Sequence, residues 1–181
     1  MESLIIGGLQ GLLNYAGVSL LDKLKVNKYK RKIAEGTATT VECAKIISMY
    51  QGEKDSFEKM VSCCEQLIQK DKQLHIAYTM LGLAYLHQPL SFGSIPKEKL
   101  MSSDNFGKAK KNFELAFLAK EDATRNDYKG LDDLRVFAQT NGMLNYHYGF
   151  ILHMEGDETK AQEYKKLGLN QVEHTKGFLP Y

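Results

Sequence analysis

The chain has no tryptophan, and its 181 residues include only three prolines and three cysteines. So few helix breakers leave long segments uninterrupted, and cysteines without a C-x-x-C spacing exclude both a disulfide scaffold and a zinc ribbon. Cys63 and Cys64 are adjacent, a spacing at which a mutual bridge is strained, so the thiols fit a reducing compartment. A strong net charge is missing too: 24 Lys and Arg stand against 22 Asp and Glu, which gives no argument for nucleic acid. A domain of this size buries roughly 70% of its unfolded surface, so its core needs no metal. Met1-Glu2-Ser3 places an acid where a secretory leader needs cations, and no such leader is expected.

Charge is also absent for nineteen residues from Ser3 to Leu21. As a helix this segment reaches about 28 Å at ~1.5 Å per residue, close to the thickness of a hydrocarbon core. Ser3, Gly7, Gln10, Asn14 and Gly17 fall on one stripe with Leu and Ile opposite, and Gly7-x-x-x-Gly11 lies beside it. In a bilayer such a stripe lets helices approach and hydrogen-bond; in water it is a helix with one apolar face. Lys23, Lys25, Lys28, Lys30, Arg31 and Lys32 follow at once, so residues 22–32 carry +5 while residues 33–181 carry −2. That is where a cytoplasmic flank follows a membrane anchor, or a polybasic segment meets anionic lipid. Three placements fit residues 3–21: spanning the membrane, lying in its interface, or capping the domain's own core. Only Tyr29 interleaves with the cations, so base stacking has little support and no nucleic-acid partner is expected. The expected division is an N-terminal apolar helix with its basic flank at 1–32 and a helical domain at 33–181.

Beyond Gly36 no segment alternates apolar and polar residues over six positions, which predicts an all-α fold. Helices are expected at about 39–50, 56–70, 74–88, 106–121 and 130–154, then a turn at Gly156-Asp157 and a last helix to about His174. The third stops before Pro89, and the stretch 89–105 gathers Pro, Gly and Ser as a long loop.

Motifs of catalysis are lacking. His75, His87, His147, His153 and His174 form no H-E-x-x-H, and neither a Gly-rich phosphate loop nor G-x-S-x-G is present. His147 and His153 are six apart, on different sides of a helix, and Asp132-Asp133 suits the positive end of a helix dipole. No enzyme, cofactor or metal site is expected.

Self-similarity is present instead. Tyr78-x-x-Leu81-Gly82-x-x-Tyr85, followed by Ala109-x-x-x-Phe113-x-x-Ala116, resembles the two helices of a tetratricopeptide repeat, in which small residues let the helices approach and rings fill the space beside them. Asn145-x-x-Tyr148-Gly149-x-x-Leu152, then Gly156-Asp157 and Ala161, resembles a second copy. Gly149 to Ala161 is twelve residues and Gly82 to Ala109 twenty-seven, with the difference held in 89–105. Asn145 stands where an aromatic is usual, and Lys165 where Phe is usual. A degenerate earlier copy is read in Cys43, Ile46, Ile47 and Tyr50 followed by Met60-x-x-x-Cys64-x-x-Leu67. The resemblance covers residues 39–175 as about three degenerate repeats with two insertions.

This resemblance implies stacked helix pairs whose inner surface, lined by the first helix of each, receives a partner protein segment or amphipathic helix. Transferred residue by residue, the lining is Ile76, Thr79, Leu83, Leu86 and His87, then Met143, Tyr146, Phe150, His153 and Met154. It is mainly apolar and lacks the Lys, Arg and Asn of members that clamp chaperone carboxylates. A competing expectation is that the protein's own N- or C-terminal helix covers it. The implied function is a non-catalytic scaffold or adaptor, membrane-associated through the N-terminal helix with the repeats in the cytoplasm. Two alternatives are a soluble cytoplasmic protein and a membrane-acting assembly protein whose Gly-rich N-terminal helices form a homo-oligomer.

Overall fold

The computed structural model describes residues 26–35, 37, 42, 56–90, 95–119, 131–172 and 178–181. Every regular element among them is an α-helix: α1 (Val26–Ala34), α2 (Ser56–Lys70), α3 (His75–Leu90), α4 (Lys97–Met101), α5 (Asp104–Ala119), α6 (Leu131–Glu155) and α7 (Glu158–Leu169). The stripe of Gly7, Gln10, Gly11, Asn14 and Gly17, the flank residues Lys23 and Lys25, and nearly all of the expected helix at 39–50 lie outside the described residues. No helix among the described residues is long and apolar enough to cross a membrane.

The central element is α3. Its sequence, HIAYTMLGLAYLHQPL, is apolar on every side, as suits a helix with neighbours all round. Between His75 and His87 every side chain is buried except those of Tyr78 and Tyr85, which are half-buried. Met60, Cys64 and Leu67 of α2, Phe106, Ala109 and Phe113 of α5, and Val136, Met143 and Leu144 of α6 belong to the same core. Two threonines enter it at no polar cost. The Thr79 hydroxyl donates to the His75 carbonyl at 3.0 Å and that of Thr140 to the Val136 carbonyl at 2.8 Å.

Contacting pairs fix the helix directions. Gln88 meets Asn105 and Gly82 meets Phe113, so α3 and α5 are antiparallel. Gly149 meets Ala161 and Gly142 meets Gly168, so α6 and α7 are antiparallel as well. Between these hairpins His75 faces Phe137 and His87 faces His147, which makes α3 and α6 parallel. The two hairpins therefore lie side by side in the same sense. Phe117, Tyr148 and Tyr164 close the joint between α5, α6 and α7 with three edge-on ring contacts at 5.1–5.7 Å.

The turn between α6 and α7 forms where the sequence places it. Gly156 has φ +91°, its N–H donates to the His153 carbonyl, and the Asp157 N–H reaches back to the Leu152 carbonyl at 2.9 Å. Asp157 then caps α7 by accepting from the Lys160 N–H at 3.3 Å.

Elsewhere the tertiary structure corrects the sequence reading. The span 89–105 is not one loop, because α3 continues through Pro89 to Leu90, α4 occupies 97–101 and α5 opens at Asp104. Pro89 is tolerated in the last turn, where a single helical bond is forfeited. Leu100 enters the core and holds α4 against it, and the Ser103 hydroxyl accepts from the Phe106 N–H at 3.2 Å at the start of α5. Helix α7 ends at Leu169 rather than near His174. Helix α1 runs across residues 32 and 33, and its Tyr29 is buried in the same core as α2; residues 1–25 of the expected N-terminal unit lie outside the described residues. Of the basic flank, Lys28 and Arg31 are exposed, Arg31 lies 3.6 Å from Glu35, Lys32 pairs with Glu42 at 2.5 Å, and Lys30 lies within α1.

Candidate functional site

The ten residues expected to line a groove divide between α3 and α6. Ile76, Thr79, Leu83, Leu86 and His87 lie on α3 and are buried, Leu83 and Leu86 with 0% exposure. Because α3 and α6 run parallel and in contact, these positions and Met143 fill the joint between the hairpins. On the other side of α6, Tyr146, Phe150 and Met154 are buried and His153 is half-buried. What covers this second face is the segment 178–181, which is not helical.

Phe178 sets its ring 4.3 Å from that of Tyr146 and 5.1 Å from that of His147. Tyr181 packs against Tyr146 at 5.2 Å, Phe150 at 5.8 Å and His153 at 5.4 Å. The hydroxyl of Tyr146 donates to the Leu179 carbonyl at 2.9 Å, and that of Tyr181 donates to the Tyr146 carbonyl at 3.0 Å. Lys165 of α7 stands 4.5 Å above the Tyr181 ring and donates to the Tyr181 carbonyl. Burial raises the hydroxyl pKa of both Tyr146 and Tyr181, keeping both neutral donors.

Gly149 has a role in this arrangement that spacing alone does not show. A Cβ there would collide with the Tyr181 hydroxyl and lie 2.9 Å from the Ala161 carbonyl and 3.2 Å from the Lys165 amide. The missing side chain thus serves both the approach of α7 and the seating of Tyr181. Phe178, Leu179 and Tyr181 were not among the expected site residues. The available signal was a pair of aromatics three apart around Pro180, too short for a periodicity.

Beneath Phe178 two imidazoles meet. His87 and His147 lie 5.5 Å apart, ring to ring, both buried. The His147 Nδ1 is 2.8 Å from the Met143 carbonyl, so the neutral ring donates there and leaves its lone pair on Nε2. That Nε2 has no hydrogen-bond partner among the described residues. Burial lowers the pKa of His87 to about 4. Burial, with His87 as a neighbour, lowers that of His147 to about 3 against the opposing bond to Met143. Both rings are therefore neutral at pH 7.

On the outer side, an open depression of about 490 Å³ lies between α2, α3 and α5, lined by Ile68, Tyr78, Leu81, Tyr85, Lys108 and Leu115 among others. Lys108 stands 5.4 Å over the Tyr85 ring, whose hydroxyl pKa is raised by burial and by nearby Glu65. No group of three or more His, Cys, Asp or Glu that could hold a metal ion occurs among the described residues. Cys63 and Cys64 are buried packing residues of α2. The site is thus an apolar crease on α6 and α7 with few polar donors, able to hold an extended segment. No protein-family model, no curated protein and no solved structure matches the chain.

Proposed function

We propose that this protein is a non-catalytic scaffold or adaptor, built from tetratricopeptide-like helix hairpins, that holds a partner protein on the face of α6. The carrying observation is the pairing of the hairpins: α3/α5 and α6/α7 are each antiparallel, α3 runs parallel to α6, and Gly82 and Gly149 occupy corresponding contact points. Such stacking presents the first helix of each pair toward a common side, where extended or helical segments dock. The α3 positions fill the joint between the hairpins, whereas Tyr146 and Phe150 lie beneath residues 178–181 with His153 half-buried at the edge, so the reading confines recognition to this α6 face and its neighbours on α7 and requires that cover to be displaced. Membrane association through residues 3–21 belongs to the same proposal and rests on their uncharged run and the lysines that follow.

A photo-crosslinking amino acid introduced at His153, at the edge of the crease, should yield a discrete adduct with another protein in cells, while the same group at exposed Lys166 of α7 should not. Equal labelling at both positions, or none at either, contradicts an adaptor acting through α6. For the membrane part, full-length protein should float with vesicles of anionic lipid, and removal of residues 1–21 should leave it at the bottom of the gradient. Unchanged flotation after removal contradicts the anchor.

A further inference from the structure

We infer that the crease of α6 and α7 recognises an extended peptide bearing an aromatic side chain, an aliphatic one next to it, and a tyrosine three residues after the first. On this reading Phe178–Tyr181 is a resident copy of the ligand, which a partner of the same chemistry displaces. The inference rests on the proposed adaptor role and names the partner class.

The seated segment shows which features the crease reads. Phe178 is an apolar anchor, buried at the edge of the core with its ring against those of Tyr146 and His147. Leu179 is buried and contributes its carbonyl to the Tyr146 hydroxyl. Pro180 is exposed, so its side chain is not read; its fixed φ removes one backbone freedom before binding and so lowers the entropy cost of docking. Tyr181 is the specific anchor. Its hydroxyl donates to the Tyr146 carbonyl in a space that exists only because Gly149 has no side chain, and its ring lies under the Lys165 ammonium. Phenylalanine at that position would leave the Tyr146 carbonyl without this donor, and any residue larger than glycine at 149 would close the space.

The segment closes the core from its edge: Phe178 and Leu179 are buried, Tyr181 is half-buried, and what ties the four residues to the helices is made by side chains. Among the described residues, every hydrogen bond that ties 178–181 to the helices uses a side chain, from Tyr146, Lys165 or Tyr181, and no backbone-to-backbone bond joins them. On the proposed reading this short segment, held by Phe178, Leu179, Tyr181 and a few side-chain bonds and with no backbone ladder to break, opens while the hairpins beneath stay folded.

The test uses the full chain and a fluorescein-labelled peptide Gly-Phe-Leu-Pro-Tyr, which repeats residues 177–181. A double variant, Phe178→Ala with Tyr181→Ala, weakens the resident copy. It should retain its helical circular-dichroism spectrum, bind the peptide about tenfold more tightly than the unmodified protein, and lose about tenfold when the peptide's tyrosine is replaced by phenylalanine. A folded double variant that binds no better, or a peptide whose tyrosine can be exchanged freely, overturns the inference. A second measurement covers the case in which the double variant unfolds: the peptide with benzoylphenylalanine in place of its phenylalanine is irradiated with the unmodified protein. An adduct on α6 near Tyr146 or His147 supports displacement. Absence of any adduct at millimolar peptide shows a fixed core segment and overturns it. Crosslinking to a cellular partner at His153 in the face of a negative peptide result would leave the adaptor reading standing and remove only this ligand class.

Discussion

The ring of Phe113 stands where a side chain on Gly82 would begin: a Cβ built on Gly82 falls 2.5 Å from Phe113 Cε1 and 2.6 Å from Cδ1. Phe113 is fully buried, and close-packed interiors leave few voids for a ring to move into. Gly82→Ala should therefore destabilise the protein by about 1–3 kcal/mol, although alanine by itself favours a helix over glycine by ~1 kcal/mol. Gly107 on α5 provides the control, because a Cβ there meets nothing within 4 Å. Gly107→Ala should stabilise by about 0.5–1 kcal/mol. Urea midpoints of the two variants decide the matter, and a gain at both sites would disprove the close approach of α3 and α5.

Gly168 makes a harder contact. A Cβ there would lie 2.7 Å from the Tyr146 amide and 2.8 Å from the Gly142 carbonyl, both backbone atoms of α6. A backbone cannot swing aside as a ring can, so Gly168→Ala should cost about 3 kcal/mol, the upper end of the usual range for overpacking. Thermal melts comparing it with Gly82→Ala should place it lower; the reverse order would show that α6 and α7 separate easily at this end.

The buried imidazoles predict acid sensitivity. His87 and His147 have folded pKa values lowered to about 4 and about 3, against 6.5 when free. Below pH 6.5 the unfolded chain takes up protons that the folded chain refuses, so stability falls as pH drops from 6.5 toward 4 and 3. The slope is up to roughly 1.4 kcal/mol per pH unit for each histidine. Carboxylates with lowered pKa, such as Asp157 and Glu158, add their own loss below about pH 4.5. Urea midpoints between pH 7.5 and 5 isolate the histidines. A double variant with His87→Leu and His147→Phe should flatten that interval, and an unchanged slope would place the proton uptake elsewhere.

Lys110 of α5 reaches Glu155 at the end of α6, with Nζ 2.7 and 2.9 Å from the two carboxylate oxygens. This bond and the nearby carboxylates raise the lysine's pKa. The pair is about a third exposed, so Lys110→Ala should cost only about 0.5–1 kcal/mol. In 1 M salt the difference from the unmodified protein should shrink. A loss that is large and indifferent to salt would mean that the lysine's alkyl stem, not its charge, holds α5 to α6.

Local chemistry alone wrote much of this fold. Ser56–Lys70 is helical as its pattern predicts, and Gly156-Asp157 turns the chain because glycine accepts a positive φ and aspartate caps the next helix. The contact glycines 82 and 149 were also legible, because spacing along a helix is a short-range property. Which surfaces would face each other was not. α3 is apolar all round, so its sequence names no solvent side, and Leu83 could be placed in a groove or a core with equal justification until α6 was laid beside it. The five residues of α4 carry too little pattern to read, and Leu100 makes them a helix only because a core is there to receive it. Tyr181 meets Tyr146 across thirty-five positions, and nothing in the intervening sequence encodes that meeting. Periodicity records what a residue does within its own turn of helix, whereas the cover over α6 is decided by long-range packing, where burying two rings and bonding two hydroxyls selects one partner from many.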